Sequence, residues 1–599
     1  MTTPPRWDLT NVYPSLDSKE FEASIKKVKK QIGELEKFFD KNVDKTTAKT
    51  PVKKLAGLAG EAIDRFNALS EQAGTINAYI YSFVSTDSRD KLAMKKLSEF
   101  EQVGVRMQNL NTRFLAWAGQ LSPVMNKVIA ANPTAKAHAF MLKEAVRQSK
   151  FMMSGPEEAL AAELNLSGAN AWEKLQGTIT SQLTVDFEVD GEVKKLPAPA
   201  LINLHSHPDE SVRRRAYEAE IQLWESVREP LAGAMNGVKG TTHTLNVHRG
   251  RKDALHAPID QSRIDRPTLE AMLGAMEASF PMFRKYFKTK AKRLGKDKLA
   301  WWDVFAPSGN TSKMYTYPEA RDFILKNFNK FSPDLASFTR RAFDQNWIDA
   351  EQRDGKRGGA FCMGVPAVKE SRVLCNFDGT LDQVSTIAHE LGHAFHNECA
   401  YTAGKTELQQ DKPMTLAETA SIMCETVVME AILKQTTDPQ EQLAILETRL
   451  IGDAQVIVDI YSRYLFEKEV FERRAESELS ADDLCEIMER AQKATYGDGL
   501  DEKYLHKYMW TWKPHYYSAG RPFYNFPYSF GLLFATGLYA IYLKRGTDFV
   551  PDYKALLAST GEGTAADLAA RFGIDIRSRK FWEDSLAVIG QKIDRYCEL

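Results

Sequence analysis

Apolar residues recur at three- and four-residue steps over residues 19–39, 53–84 and 91–121, with Lys and Glu filling the positions between. That period gathers apolar side chains on one face of a helix, so three long amphipathic helices are predicted. Asn132-Pro133-Thr134 breaks the pattern, and a further helical stretch runs to Lys150. The period then shortens. Residues 179–189 alternate and are rich in β-branched side chains, and Asp190-Gly191 sits where a tight hairpin turn belongs. A lobe boundary is expected here, giving an N-terminal helical lobe, 1–195, that ends in a hairpin, and a larger region, 196–599. Helical periodicity resumes from Asp209, with a polar break at 310–318. Two short strands are predicted at 358–362 and 372–377, with Asp378-Gly379 closing the second and a helix starting near Asp382 as its N-cap. A segment rich in Pro, Gly and aromatic residues, 512–530, interrupts the later helices. The fold class is therefore mainly α-helical, with small β elements beside the helix that starts near residue 382.

Composition narrows the function classes. Of 599 residues, 43% are hydrophobic, enough for a large core. The 79 basic and 80 acidic residues nearly cancel, so no field of one sign points to nucleic acid or an anionic membrane surface. Six scattered cysteines form no CxxC pair and read as thiols, not a disulfide framework. No secretory leader is visible at the start. No run of about 18 uncharged apolar residues occurs either, the longest apolar stretch being 530–542, so no spanning helix is expected. The expected location is the cytoplasm.

The chemistry concentrates in His389-Glu390-Leu391-Gly392-His393, an HExxH pattern on a predicted helix. Residues four apart stand above one another on a helix, so His389 and His393 can aim two imidazoles at one tetrahedral zinc ion. Glu390, one step round the same turn, can reach a water at the metal without displacing it, which is the position of a general base. Ile387, Leu391 and Ala394 occupy the apolar face of the same helix. A third ligand is needed. The pattern that adds Gly and a third His is not met, because those positions hold His396 and Cys399. Glu418, 25 residues after His393 on a following predicted helix, is the candidate, with Ala417, Ala420 and Ser421 small enough for close packing. Thr415-x-x-Glu418 also matches a capping box, in which the carboxylate only satisfies its own helix. Glu425 could orient a ligating histidine or be a solvated charge. His396 reads as packed or as a partner of a ligand.

Zinc lowers the pKa of water, and Glu390 would pass a proton from that water to the leaving amine of a cut peptide. An oxyanion needs a second donor. His515 and the hydroxyls of Tyr524 and Tyr528 lie in the late aromatic segment and could serve, or could belong to an aromatic core. The glycines at 358 and 359 could open a strand edge to a peptide backbone or form an ordinary turn.

The runs 374–381 and 386–396 resemble the oligoendopeptidase F family, which is related to thimet oligopeptidase. Residues 7–14 and 522–531 resemble that family's start and late segment, so the likeness spans nearly the whole chain. By position, the resemblance makes His389, His393 and Glu418 the zinc ligands and Glu390 the base. It makes His515 the assisting histidine and Tyr528 or Tyr524 the assisting tyrosine; Gly531 stands where another Tyr is expected. It further implies two lobes around a deep channel that admits short unfolded peptides as substrates. An exopeptidase and a non-catalytic peptide-binding scaffold are the competing functions. No terminal-anchoring motif favours the first, and the intact zinc pattern disfavours the second.

Overall fold

A computed structural model describes residues 4–189, 191–308 and 313–599. The hairpin residue Asp190 and positions 310–312 of the expected polar break lie outside the described residues. The fold is mainly α-helical, with one two-stranded and one three-stranded sheet among the described residues. The chain forms two compact units. The first comprises Met1–Met152, Lys313–Ile432 and Ile541–Gly573; the second comprises Met153–Ser312, Leu433–Ala540 and Ile574–Leu599. The division expected at 195/196 is a different partition: both residues lie within one strand of the second unit, Glu192–Pro197. A change of period marks where secondary structure changes, not where a chain changes packing partners.

In the first unit, the helices Lys19–Phe38, Val52–Thr86 and Lys91–Gln120 bury the stripes that their periodicity predicts. Phe21, Val28, Ile32 and Leu35 share one core with Leu55, Ile63, Phe100 and Trp117. Ser18 and Asp90 cap two of these helices, Ser18 accepting from the Phe21 amide and Asp90 from those of Leu92 and Ala93. The small sheet of this unit has the order Ile348–Asp349, Glu370–Leu374, Phe361–Val365, the first pair parallel and the second antiparallel. It packs on the helix Leu381–Thr402. Both longer strands are offset from the expected ranges, because Gly359 takes a positive φ of 80° and ends the turn before pairing begins at Phe361.

In the second unit, Thr184–Val189 pairs antiparallel with Glu192–Pro197, and Phe187 faces Leu201, Val212 and Ala216. The alternating stretch predicted as strand from 179 is helical up to Gln182, within Ala169–Gln182. Alternation over so few residues is outweighed by the helix already in progress, which the buried Gln176 anchors by donating to the Thr511 carbonyl at 3.0 Å. One helical stretch, Phe526–Ala558, is long and apolar enough to cross a membrane by length and composition, although 78% of its most apolar window is buried inside protein. The sequence predicts no such helix, because the longest apolar stretch, 530–542, is short and contains glycines.

A fully buried network holds the second unit. Lys290 donates to Glu447 at 2.6 Å and to the Val304 carbonyl at 2.8 Å, and the Tyr286 hydroxyl donates to the same carboxylate oxygen at 2.6 Å. Burial disfavours the Lys290 ammonium and Glu447 opposes that, the net effect lowering its pKa. Glu447→Ala is expected to leave that ammonium buried and unpaired, costing about 3–5 kcal/mol. Thermal unfolding followed by circular dichroism would show a lowered midpoint; an unchanged midpoint would mean the network contributes nothing.

Candidate metal centre

The helix Leu381–Thr402 is fixed from behind and at its start. Val384, Ile387, Ala388, Leu391, Ala394 and Phe395 are buried. Its N-cap is Thr380, which accepts from the Gln383 amide, while Asp378 accepts from the Thr380 amide and hydroxyl. Asp382, expected as the cap, lies in the first turn. The extended backbone of Thr380 (φ −69°, ψ 157°) already provides the cap two residues earlier. His389 and His393 then leave the same face, with ring centroids 5.0 Å apart.

The second carrier is a helix broken at Glu418, between Met414–Ala417 and Thr419–Gln435. It approaches because residue 392 has no side chain. A Cβ there would lie 2.5 Å from the Ala420 carbonyl oxygen and 2.6 Å from the Ser421 Cα. Glu418 Oε2 lies 3.3 Å from His389 Nε2 and 3.4 Å from His393 Nε2. It also accepts from the Ser421 hydroxyl at 2.7 Å. The alternative capping box does not form: the N-cap of that turn is Pro413, and the Glu418 carboxylate is at the imidazoles.

These three residues form the one His/Cys/Asp/Glu group among the described residues whose ligand atoms lie within 4.8 Å of each other. A tetrahedral ion with ligands at about 2.0–2.1 Å has edges of about 3.3 Å. The observed spacings fit such an ion. The electrostatics fit too. Burial pulls the His389 pKa down, but hydrogen bonds to Glu418 and Glu425 outweigh it and push it up to about 10. Burial opposes ionisation of Glu418, yet the two imidazoles hold its pKa far below the usual carboxylate range. The site is built to hold positive charge.

Glu425 Oε2 lies 3.1 Å from His389 Nδ1, on the far side of that ring from Glu418. It is thus an orienting partner rather than a solvated charge. Glu390 is 6% exposed, and its Oε2 has no hydrogen-bond partner among the described residues. Burial raises its pKa, and the two histidines partly oppose the rise. His396 turns away into the core, where its Nε2 meets the Thr560 hydroxyl at 2.8 Å.

The late-segment residues belong to the second unit and cluster among themselves. His515, in the short helical turn Pro514–Tyr517, stacks on Tyr524 with centroids 5.8 Å apart, and the Tyr524 and Tyr528 hydroxyls are 2.8 Å apart. Asn525 Nδ2 donates to His515 Nε2 at 2.6 Å, its orientation set by Arg463, which donates to Asn525 Oδ1. Nδ1 is then the protonated nitrogen. Burial, followed by the charges of Arg463, Lys239 and Lys513, pulls the His515 pKa down to about 2, so the ring is neutral at ordinary pH. Sequence reasoning missed Asn525, Arg463 and Gly392. Arg463 lacks any motif, and Asn525 lies in the run 522–531 without a chemistry of its own to single it out; Gly392 lies inside the HExxH pattern, where a helix-interior glycine was a signal for close packing.

The sequence pattern of Peptidase family M3 matches residues 203–588, and that of Oligopeptidase F matches residues 123–184. Oligopeptidase PepF of Bacillus subtilis (strain 168) is 23% identical over 613 residues, covering 99% of this chain and 87% of that protein. An oligoendopeptidase F homolog of Lactococcus lactis subsp. lactis (strain IL1403) is also 23% identical, covering 98% and 96%. The crystal structure of oligoendopeptidase-F from Enterococcus faecium shares the fold with a TM-score of 0.71 at 18% identity, over 97% of this chain and 98% of that one. A Chlamydophila abortus chain does so with a TM-score of 0.84 at 19% identity, over 99% and 98%.

Gly392→Ala is expected to force the two ligand-bearing segments apart, since the obstacle is backbone. Metal affinity measured by chelator competition should fall on the order of 10-fold or more. Wild-type affinity in that variant would show that the close approach is dispensable.

Proposed function

The chain belongs to peptidase family M3, a group of metallopeptidases, and on that premise we propose that it is a zinc-dependent oligoendopeptidase acting on internal bonds of short unfolded peptides. One observation carries this reading: Glu418 Oε2 lies at tetrahedral-edge distance, 3.3 and 3.4 Å, from two imidazole nitrogens of the helix that also carries the buried Glu390, whose Oε2 has no partner among the described residues. The catalytic region read as 196–599 nearly coincides with the matched segment 203–588, and we assign the peptidase chemistry to it.

A zinc ion held by His389, His393 and Glu418 would supply Lewis acidity and lower the pKa of water at the site. Glu390 takes the proton of the attacking water at its free oxygen and delivers it to the leaving amine. Its raised pKa suits both transfers, because a carboxylate closer to neutrality accepts a proton more readily. Glu425 holds the His389 ring with Nε2 turned to the ligand position. Phe361–Val365 is the edge strand of its sheet, and its unpaired side offers backbone groups to an extended peptide. His515, neutral and donating from Nδ1, is assigned to the carbonyl oxygen of the cut bond, with Tyr524 or Tyr528 as the accompanying hydroxyl. The six free thiols fit a reducing compartment, the cytoplasm.

Glu390→Gln should keep its zinc, measured by atomic absorption, while turnover of a peptide library falls about 10²- to 10⁴-fold. Full activity would remove Glu390 as base. If mass spectrometry of wild-type digests showed only single terminal residues released, the endopeptidase reading would fail. His515→Ala should likewise retain zinc but lose about 10²- to 10³-fold in kcat; an unchanged kcat would exclude it from the reaction.

A further inference from the structure

The helices Arg228–His248 and Ile460–Arg474 of the second unit border a cavity of about 340 Å³ whose walls include Phe471 and Phe523. Those two rings stack with centroids 5.6 Å apart and give it an apolar side. Its polar lining is one-sided. Asn246 Nδ2 is buried and has no hydrogen-bond partner among the described residues. The His243 ring and the Lys252 ammonium, both lining the cavity, make no hydrogen bond or ion pair among the described residues. The two acids of the lining are already matched: Asp253 pairs with Arg266 at 2.6 Å, and Glu472 lies beside Lys468 in the same lining. Arg251 is engaged by Asp260. The groups left over are donors and a cation, and a buried donor without an acceptor marks a place where an acceptor belongs.

We propose that this cavity binds the C-terminal end of a short peptide, its carboxylate on Asn246 and Lys252 and its last apolar side chain against Phe471 and Phe523. The volume lies at the lower end of small-ligand pockets, which suits a chain end. Carboxylate on amide and ammonium donors gives charge-assisted hydrogen bonds that a neutral amide end cannot. Phe523 also links the cavity to the cluster around His515. Its φ is +54°, a conformation an aromatic residue holds only under constraint, and its amide donates to Glu467 at 3.0 Å. It immediately precedes Tyr524 and Asn525, the partners of Tyr528 and His515. A ligand resting on Phe523 therefore bears on the loop that carries them. Free carboxylate ends are what each peptide-bond cut releases, so under the proposed function the cavity senses product; the binding itself does not depend on that function.

The test is calorimetric titration of the full-length, zinc-loaded protein with N-acetyl-leucyl-phenylalanine and, separately, with its C-terminal amide. The acid should bind at least ~10-fold more tightly than the amide. Lys252→Ala, at an exposed position that leaves folding intact, and Asn246→Leu should each weaken the acid ~3-fold or more and leave the amide unchanged. Equal affinities for acid and amide, or an acid affinity untouched by Lys252→Ala, would overturn the proposal. Neither result bears on whether Glu390 is a base, which turnover decides.

Discussion

The centre depends on a backbone-to-backbone approach at Gly392. The helix that carries His389 and His393 is held by its buried apolar face and by the Thr380 cap. The segment that carries Glu418 can meet it only because nothing projects from residue 392 toward the Ala420 carbonyl. That contact puts the carboxylate 3.3 and 3.4 Å from two imidazole nitrogens, and it brings Glu425 to the other nitrogen of the His389 ring. A carboxylate at each nitrogen leaves that ring one useful orientation. Three carboxylates around two histidines form a concentration of negative charge that a divalent cation stabilises.

His389 of the first unit and His515 of the second are tuned in opposite directions. In the first, Glu418 and Glu425 overcome burial and favour the charged form of His389, which is the electrostatic signature of a cation site. In the second, burial acts together with Arg463, Lys239 and Lys513 and keeps His515 neutral, so that it can donate a hydrogen bond without carrying charge. His396 follows His515, although it lies in the first unit. It sits only three residues from His393, yet burial without a carboxylate partner makes it a packed, neutral ring on Thr560.

Where local patterns misled, a neighbour or a longer element had the stronger effect. The β-branched alternation at 179–189 began inside a helix that had not yet ended, so only its second half pairs as a strand. Asp382 has the right chemistry for a cap, but Thr380 has the right backbone. Thr415 and Glu418 have capping-box spacing, but two imidazoles compete for that carboxylate and hold it. The boundary expected at 195/196 is a different matter: each unit is assembled from three separated stretches, so no single cut of the chain separates the two.

By itself the sequence determined the helical character of the chain, the pair of imidazoles four residues apart and the carboxylate between them, because helix period and ligand spacing are local properties. Tertiary structure alone decided that Glu418 faces those imidazoles rather than its own helix end, that Glu425 braces one of them, and that His515 takes its tautomer from Asn525 and Arg463. Each of those choices is a contact between residues distant in the chain. Such a contact has no local period to announce it, and it exists only once the packing distance at a glycine or the burial of a charge has been settled.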